Sequence, residues 1–161
     1  SKPISKIKFS QKAVIAPYHD INGFMFRLVN PQKNELLDVE INVSVSMKRE
    51  NSELRDFHIL DLERDNVRFF PSMWTVVHPI DNNSPLYGLH NNDYEKKDFE
   101  FIAMLKAFDE SSGQMVYSRT SYKPEEIEWG QKFVYVAQRL NGKTLVDVSR
   151  INKSEKAVLN T

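Results

Sequence analysis

The strongest pattern along the chain has a period of two. Val39, Ile41, Val43, Val45 and Met47 alternate with Glu40, Asn42, Ser44 and Ser46. Alternation at this period puts one set on each face of an extended chain, so the stretch predicts a half-buried strand. Phe24, Phe26 and Leu28 alternate with Met25, Arg27 and Val29. Phe133, Tyr135 and Ala137 alternate with Val134, Val136 and Gln138, and Leu145, Asp147 and Ser149 with Val146 and Val148. Further strands are predicted at 7–15, 73–78, 99–108 and 115–122, where β-branched and aromatic residues suited to a pleated surface concentrate.

The separators carry turn chemistry. Asn141-Gly142 sits between two alternating runs and predicts a tight hairpin, because both residues tolerate positive φ. Asn22-Gly23, Asn30-Pro31 and 111–113 mark other turns. Helical signals are short. Ser84-Pro85 reads as an N-cap followed by proline at the first helical position. Asn92 or Asp93 caps a turn through Lys97, and Pro124 with Glu125 and Glu126 opens another. About eight strands with single-turn helices between them predict an all-β sandwich. Residues 1–8 read as a connecting segment, 9–155 as one domain and 156–161 as a tail.

One predicted strand is apolar on both sides. Phe99, Phe101, Ala103, Leu105 and Ala107 form one face; Glu100, Ile102, Met104, Lys106 and Phe108 form the other. A solvated face should be more polar, so this second face is covered either by a loop of the same chain or by another subunit.

Composition narrows the classes. The 161 residues suit a single domain. Lys+Arg and Asp+Glu are each 22, so the net charge is zero, which argues against nucleic acid as a partner. Cysteine is absent, which excludes disulfides, zinc–thiolate sites, iron–sulfur clusters and thiol nucleophiles. No apolar run exceeds five residues, as at 101–105, whereas a membrane-spanning helix needs about 20. No secretory signal is visible at the N-terminus. The chain starts with Ser rather than Met, which predicts either a fragment of a longer protein or a start altered by cloning.

Candidate chemistry is sparse. His19, His58, His78 and His90 share no metal-ligand spacing, and His78, in an apolar run, reads as a hydrogen-bonded core or edge histidine. Asp61, Glu63 and Asp65 alternate with Leu60, Leu62 and Arg64 and read as a polar edge or loop. There is no nucleophile elbow and no phosphate-binding glycine loop, so no enzyme is predicted. Lys2, Lys6, Lys8, Lys12 and Lys33 gather towards the N-terminal side, and residues 1–18 hold no acid. They are either solubilising charge or a contact for an anionic surface.

Six stretches in order carry a resemblance: 9–15 (FSQKAVI), 25–29 (MFRLV), 77–89 (VHPIDNNSPLYGL), 98–101 (DFEF), 118–122 (SRTSY) and 126–130 (EIEWG). Together they resemble the cytoplasmic C-terminal domain of inward-rectifier potassium channels, most like the prokaryotic members, over about residues 2–155. The resemblance implies an immunoglobulin-like β-sandwich that forms a fourfold ring below a pore module of the same full-length chain. It implies gating and extension of the ion pathway at the cytoplasmic face of the cell membrane, and groups the channel as voltage-gated. No tightly bound cofactor is expected; K+ is the permeant ion, and Mg2+ or polyamine a pore blocker.

The resemblance also assigns residues. Asp38 and Lys106 fall where the family lines its cytoplasmic pore with glutamates, so Lys106 reverses a charge and puts strong rectification in doubt. Asp65 is a neighbouring acidic candidate. Gly113, Gln114 and Met115 fall in the girdle loop that gates the passage. Lys2, Lys6 and Lys33 fall on the surface that meets anionic lipid; at 30–34 (NPQKN), Gln32 replaces one of the family's two basic residues. The alternative to a channel component is a stand-alone, non-enzymatic binding module on the same sandwich.

Overall fold

The computed structural model describes residues 7–32 and 35–161. Its elements are β1 (Lys8–Phe9), β2 (Ala13–Tyr18), β3 (Ile21–Val29), β4 (Leu36–Lys48), β5 (Arg55–Ile59), β6 (Asn66–Phe69) and β7 (Met73–Ile80). There follow α1 (Asn91–Lys96), β8 (Glu100–Asp109), β9 (Gln114–Tyr122), β10 (Ile127–Trp129), β11 (Gln131–Phe133), β12 (Ala137–Leu140), β13 (Lys143–Val146) and β14 (Ser154–Lys156). Single 3-10 turns occupy Pro124–Glu126 and Val148–Arg150.

Two sheets make the sandwich. The first runs β1-β3-β2-β10, with β7 along the opposite edge of β3; the second runs β5-β4-β8-β9, with β6 also on β4. The period-two stretch on β4 turns Val39, Ile41, Val43, Val45 and Met47 into the core. They meet Phe24, Phe26 and Leu28 of β3 and Phe101, Ala103 and Leu105 of β8 in one continuous cluster. Phe24 stacks on Phe101 across the sheets, with ring centroids 4.1 Å apart. Each such ring contributes about 1.5–3 kcal/mol through burial alone.

β3 is buried on both faces. Its Met25 joins a second apolar cluster with Val14, Ala16 and Val77, against which Phe133 packs. The C-terminal part of the chain covers this face, with β11 and β14 pairing across it.

Several local expectations shift. Asn22-Gly23 is strand, not turn; the hairpin turns at His19-Asp20, with His19 at φ 54° and Tyr18 opposite Ile21. A side chain at Gly23 would come within 3.2 Å of Met25 and Val77, so glycine serves packing there. The strand expected over 133–138 ends at Phe133, because Val134 and Val136 bond to the returning chain at Lys153 and Asp147. Past Val146 the alternation is a cap: Asp147 accepts from Ser149 N at the 3-10 turn. Ser84-Pro85 starts no helix; Ser84 Oγ accepts from Leu86 N. Ile7 is buried in the core and Lys8 pairs with Val29, so the sandwich begins inside the stretch read as a connecting segment. Asn160 likewise bonds to Asn22 and Ile21. Asn141-Gly142 turns the β12–β13 hairpin as expected, both at positive φ.

His78 is buried between Asp61 O at Nδ1 and Ser84 Oγ at Nε2. The carbonyl requires a proton on Nδ1, so Nε2 accepts from the hydroxyl. Burial holds this imidazole below its ordinary value of 6.5. Protons therefore bind the unfolded chain more tightly, and stability present above that value falls as pH drops through it. Urea midpoints are expected to fall between pH 7.5 and 5.5, and to fall less for His78→Gln.

Candidate functional site

The candidate site is the outer face of the second sheet. Core residues alternate inwards, so Glu40, Asn42 and Ser44 on β4 and Ile102, Met104 and Lys106 on β8 point away from the sandwich. Tyr117 and Arg119 on β9 and Phe57 and Ile59 on β5 extend it. The face predicted to be covered is open here: Met104 is 54% exposed, Phe57 66% and Ile59 80%.

Register pairs opposite charges. Glu40 lies directly across from Lys106, whose Nζ reaches Glu40 Oε2 at 3.1 Å. Both ends are about half exposed, so the pair contributes no more than about 1 kcal/mol, but it cancels the charge. The Lys106 charge is thus neutralised by Glu40 of the same chain. Asp38 sits in a bulge between Leu37 and Glu40 at φ 48°, which leaves its carboxylate exposed. Arg68 of β6 approaches it at 3.9 Å. Asp65 is exposed and bonded to its neighbour Asn66.

Beside the Glu40–Lys106 pair lies a groove of about 380 Å³ lined by Asn42, Met104, Tyr117 and Arg119. Arg119 has no carboxylate partner among the described residues. The face can offer an aromatic platform and paired charges, its Asp38 and Glu40 each lying beside a cation.

The expected girdle is the β8–β9 hairpin. Only Gly113 of the three candidates lies in the turn, at φ 69°, its N–H donating to Asp109 O. Ser111 donates twice to Asp109 Oδ1. Gln114 and Met115 are strand residues opposite Asp109 and Phe108. Nothing lies within 4 Å of a side chain built at Gly113. Gly113→Ala is therefore expected to cost about 1 kcal/mol in urea melts, from backbone conformation alone. Glu110, in the same turn, donates its N–H to Glu35 O, and a hydrogen bond between the two carboxyls raises that of Glu110.

Lys2, Lys6 and Lys33 lie outside the described residues. Lys12 is engaged within the chain, with Glu128 at 2.8 Å and Ser154 at 2.9 Å. Among the described residues no group of three His, Asp or Glu side chains is placed to hold a metal. No described helix is long and apolar enough to cross a membrane.

Residues 7–160 match the family described as the inward rectifier potassium channel C-terminal domain. The chain belongs to that family. The inward rectifier potassium channel Kirbac3.1 of Paramagnetospirillum magnetotacticum is 29% identical over 157 residues, covering 95% of this chain and 53% of that protein. The human ATP-sensitive inward rectifier potassium channel 8 is 32% identical over 155 residues, covering 92% of this chain and 37% of that protein. The chain thus spans about half or less of these inward rectifiers. Spo0M, a sporulation control protein of Bacillus subtilis, matches at TM-score 0.39 and 9% identity over 79% of this chain and 50% of that one, too weakly to bear on the inward-rectifier assignment. Neither the family nor these relatives' names support voltage gating, and that expectation is set aside.

Glu40, Arg68, Tyr117 and Arg119 were not singled out by sequence. Glu40 stands two residues from Asp38, but its pairing with Lys106 depends on register between distant strands.

Proposed function

We propose that this chain is the cytoplasmic, pore-extending and gating domain of a homotetrameric potassium channel. The observation that carries this reading is the family match across residues 7–160. In the proposed ring, the outer faces of the four β5-β4-β8-β9 sheets look towards the axis and the neighbouring subunits. This gives a use to Met104, Phe57 and Ile59, which a solitary domain leaves in water. K+ passes along the axis. Mg2+ or polyamine binds there weakly, because Asp38 and Glu40 each have a cationic partner. The Gly113–Met115 hairpin is the proposed gate, and the pore module belongs to the same full-length chain.

The test is a chimera carrying this chain behind the pore module of Kirbac3.1. Reconstituted in liposomes, it is expected to assemble as a tetramer and support K+ flux. A chimera that inserts but stays monomeric would overturn the reading. The isolated chain is expected to show a concentration-dependent monomer–tetramer mixture by native mass spectrometry, since removing the pore module removes an effective concentration of about millimolar order.

Lys2, Lys6 and Lys33 are proposed to meet anionic lipid, each contributing about 1 kcal/mol near such a surface. Flotation with anionic liposomes at low salt should be reduced in a triple Lys→Gln variant and lost for both proteins at moderate salt. Equal flotation of the two would reduce these lysines to surface charge.

A further inference from the structure

Arg27 is a buried cation with no acid beside it. It is 2% exposed, and no described carboxylate lies within ion-pair reach. Its guanidinium donates to main-chain carbonyls: Nε to Ile151 at 2.6 Å, Nη1 to Val134 at 2.6 Å, and Nη2 to Arg150 at 3.0 Å and Lys153 at 3.1 Å. One face of the group lies 4.6 Å from the Phe133 ring centre. Burial alone pushes it down to about 10, still charged at neutral pH.

These carbonyls come from both ends of one excursion of the chain. Val134 is where the chain leaves the β11–β14 ladder, and 150–153 is where it returns. Phe133 pairs with Ser154, and Val134 N donates to Lys153 O, so the neck is closed. Arg150 ends the 3-10 turn, and its carbonyl, which also accepts from Lys153 N, lies at the turn's C-terminal end, where a cation is favoured. Beyond the neck, β12 and β13 pair with each other and with no other described strand. Leu140 and Leu145 on this arm are about half exposed. Between the arm and β7 lies an open cleft of about 370 Å³, floored by Arg27 and Phe133 and walled by Met73, Thr75, Tyr135 and Val146.

We propose that Arg27 is a positioning residue that clamps residues 134–153 over this cleft, and that those residues open and close as one unit while the sandwich stays folded. Hydrogen bonds from a charged donor are stronger than neutral ones, and four of them converge on one side chain. Apart from them the arm has its own hairpin bonds, and its other ties to the body are Asn152 Oδ1, which accepts from Gln11 N, and the buried side chains of Val136 and Ile151; ties gathered at so few points suit a unit that opens below the global unfolding free energy. A main-chain cage without a carboxylate also makes the clamp insensitive to the titration of acids. This inference does not depend on the channel reading.

Native-state hydrogen exchange on the 161-residue chain tests it. In the unaltered chain, the protected amides of Val134, Asp147, Ile151 and Lys153 are expected to share one opening rate, faster than that of β3, β4 and β8. Arg27→Met should accelerate them at least tenfold and change the β4 and β8 amides less than threefold. Arg27→Lys, which keeps the charge but cannot span four carbonyls, should fall between. Equal acceleration of core and arm, or none in the arm, would overturn the proposal. If Arg27→Met does not fold, the unaltered chain decides: arm amides that exchange only with global unfolding would overturn it equally.

Discussion

Lys106→Glu is expected to strengthen block by internal Mg2+ or polyamine at least tenfold in the reconstituted chimera. The substitution removes a positive charge, adds a negative one and releases Glu40 from its 3.1 Å partner. In a fourfold ring that is a change of eight charges around one axis. A single unit charge at about 8 Å and an effective dielectric of about 20 is worth roughly 2 kcal/mol. A tenfold change in affinity needs only about 1.4 kcal/mol. The effect therefore survives partial screening by salt. Lys106→Gln should give an intermediate change. Block unchanged in both variants would mean that the Glu40–Lys106 pair does not face the ion path.

Phe101→Ala is expected to destabilise the chain by about 3–5 kcal/mol. Phe101 is fully buried, stacks on Phe24 at 4.1 Å and meets Tyr94 at 5.7 Å. It joins the two sheets at their centre, where neighbours on both sides are rings and cannot collapse into the space. Domains of this size have only about 5–15 kcal/mol in all. Phe57→Ala, on the open face of the same sheet, should cost under about 0.5 kcal/mol in the isolated chain. Urea melts of the two variants check this; a loss under 1 kcal/mol at Phe101 would contradict the described core.

The sandwich was legible where pattern and burial coincide. Val39–Met47 alternates because one face of β4 meets the core, and Asn141-Gly142 turns because both residues accept positive φ. β5 and β6 were not legible: Phe57, Ile59 and Phe69 are exposed, so no burial contrast marks the period. The excursion after Phe133 misled, because its valines alternate in burial without a partner strand. At the candidate site, Asp38 and Lys106 were reachable through the family resemblance. Their partners Arg68 and Glu40 were not, because ion pairing depends on cross-strand register and on the bulge at Asp38. The carbonyl cage of Arg27 left no sequence signal at all, since its acceptors are main-chain atoms that every residue carries.

In the proposed channel the outer face of the β5-β4-β8-β9 sheet borders the ion path. The chain has no cysteine, so single cysteines can be read without background. Asn42→Cys and Tyr87→Cys in a chimera with a cysteine-free pore module, each exposed to a membrane-impermeant cationic thiol reagent from the cytoplasmic side, compare that face with an unrelated exposed position. Modification at position 42 should reduce K+ current, with a high concentration of internal blocker slowing the reaction, and modification at position 87 should leave current unchanged. Full modification at position 42 with no change in current would contradict the claim.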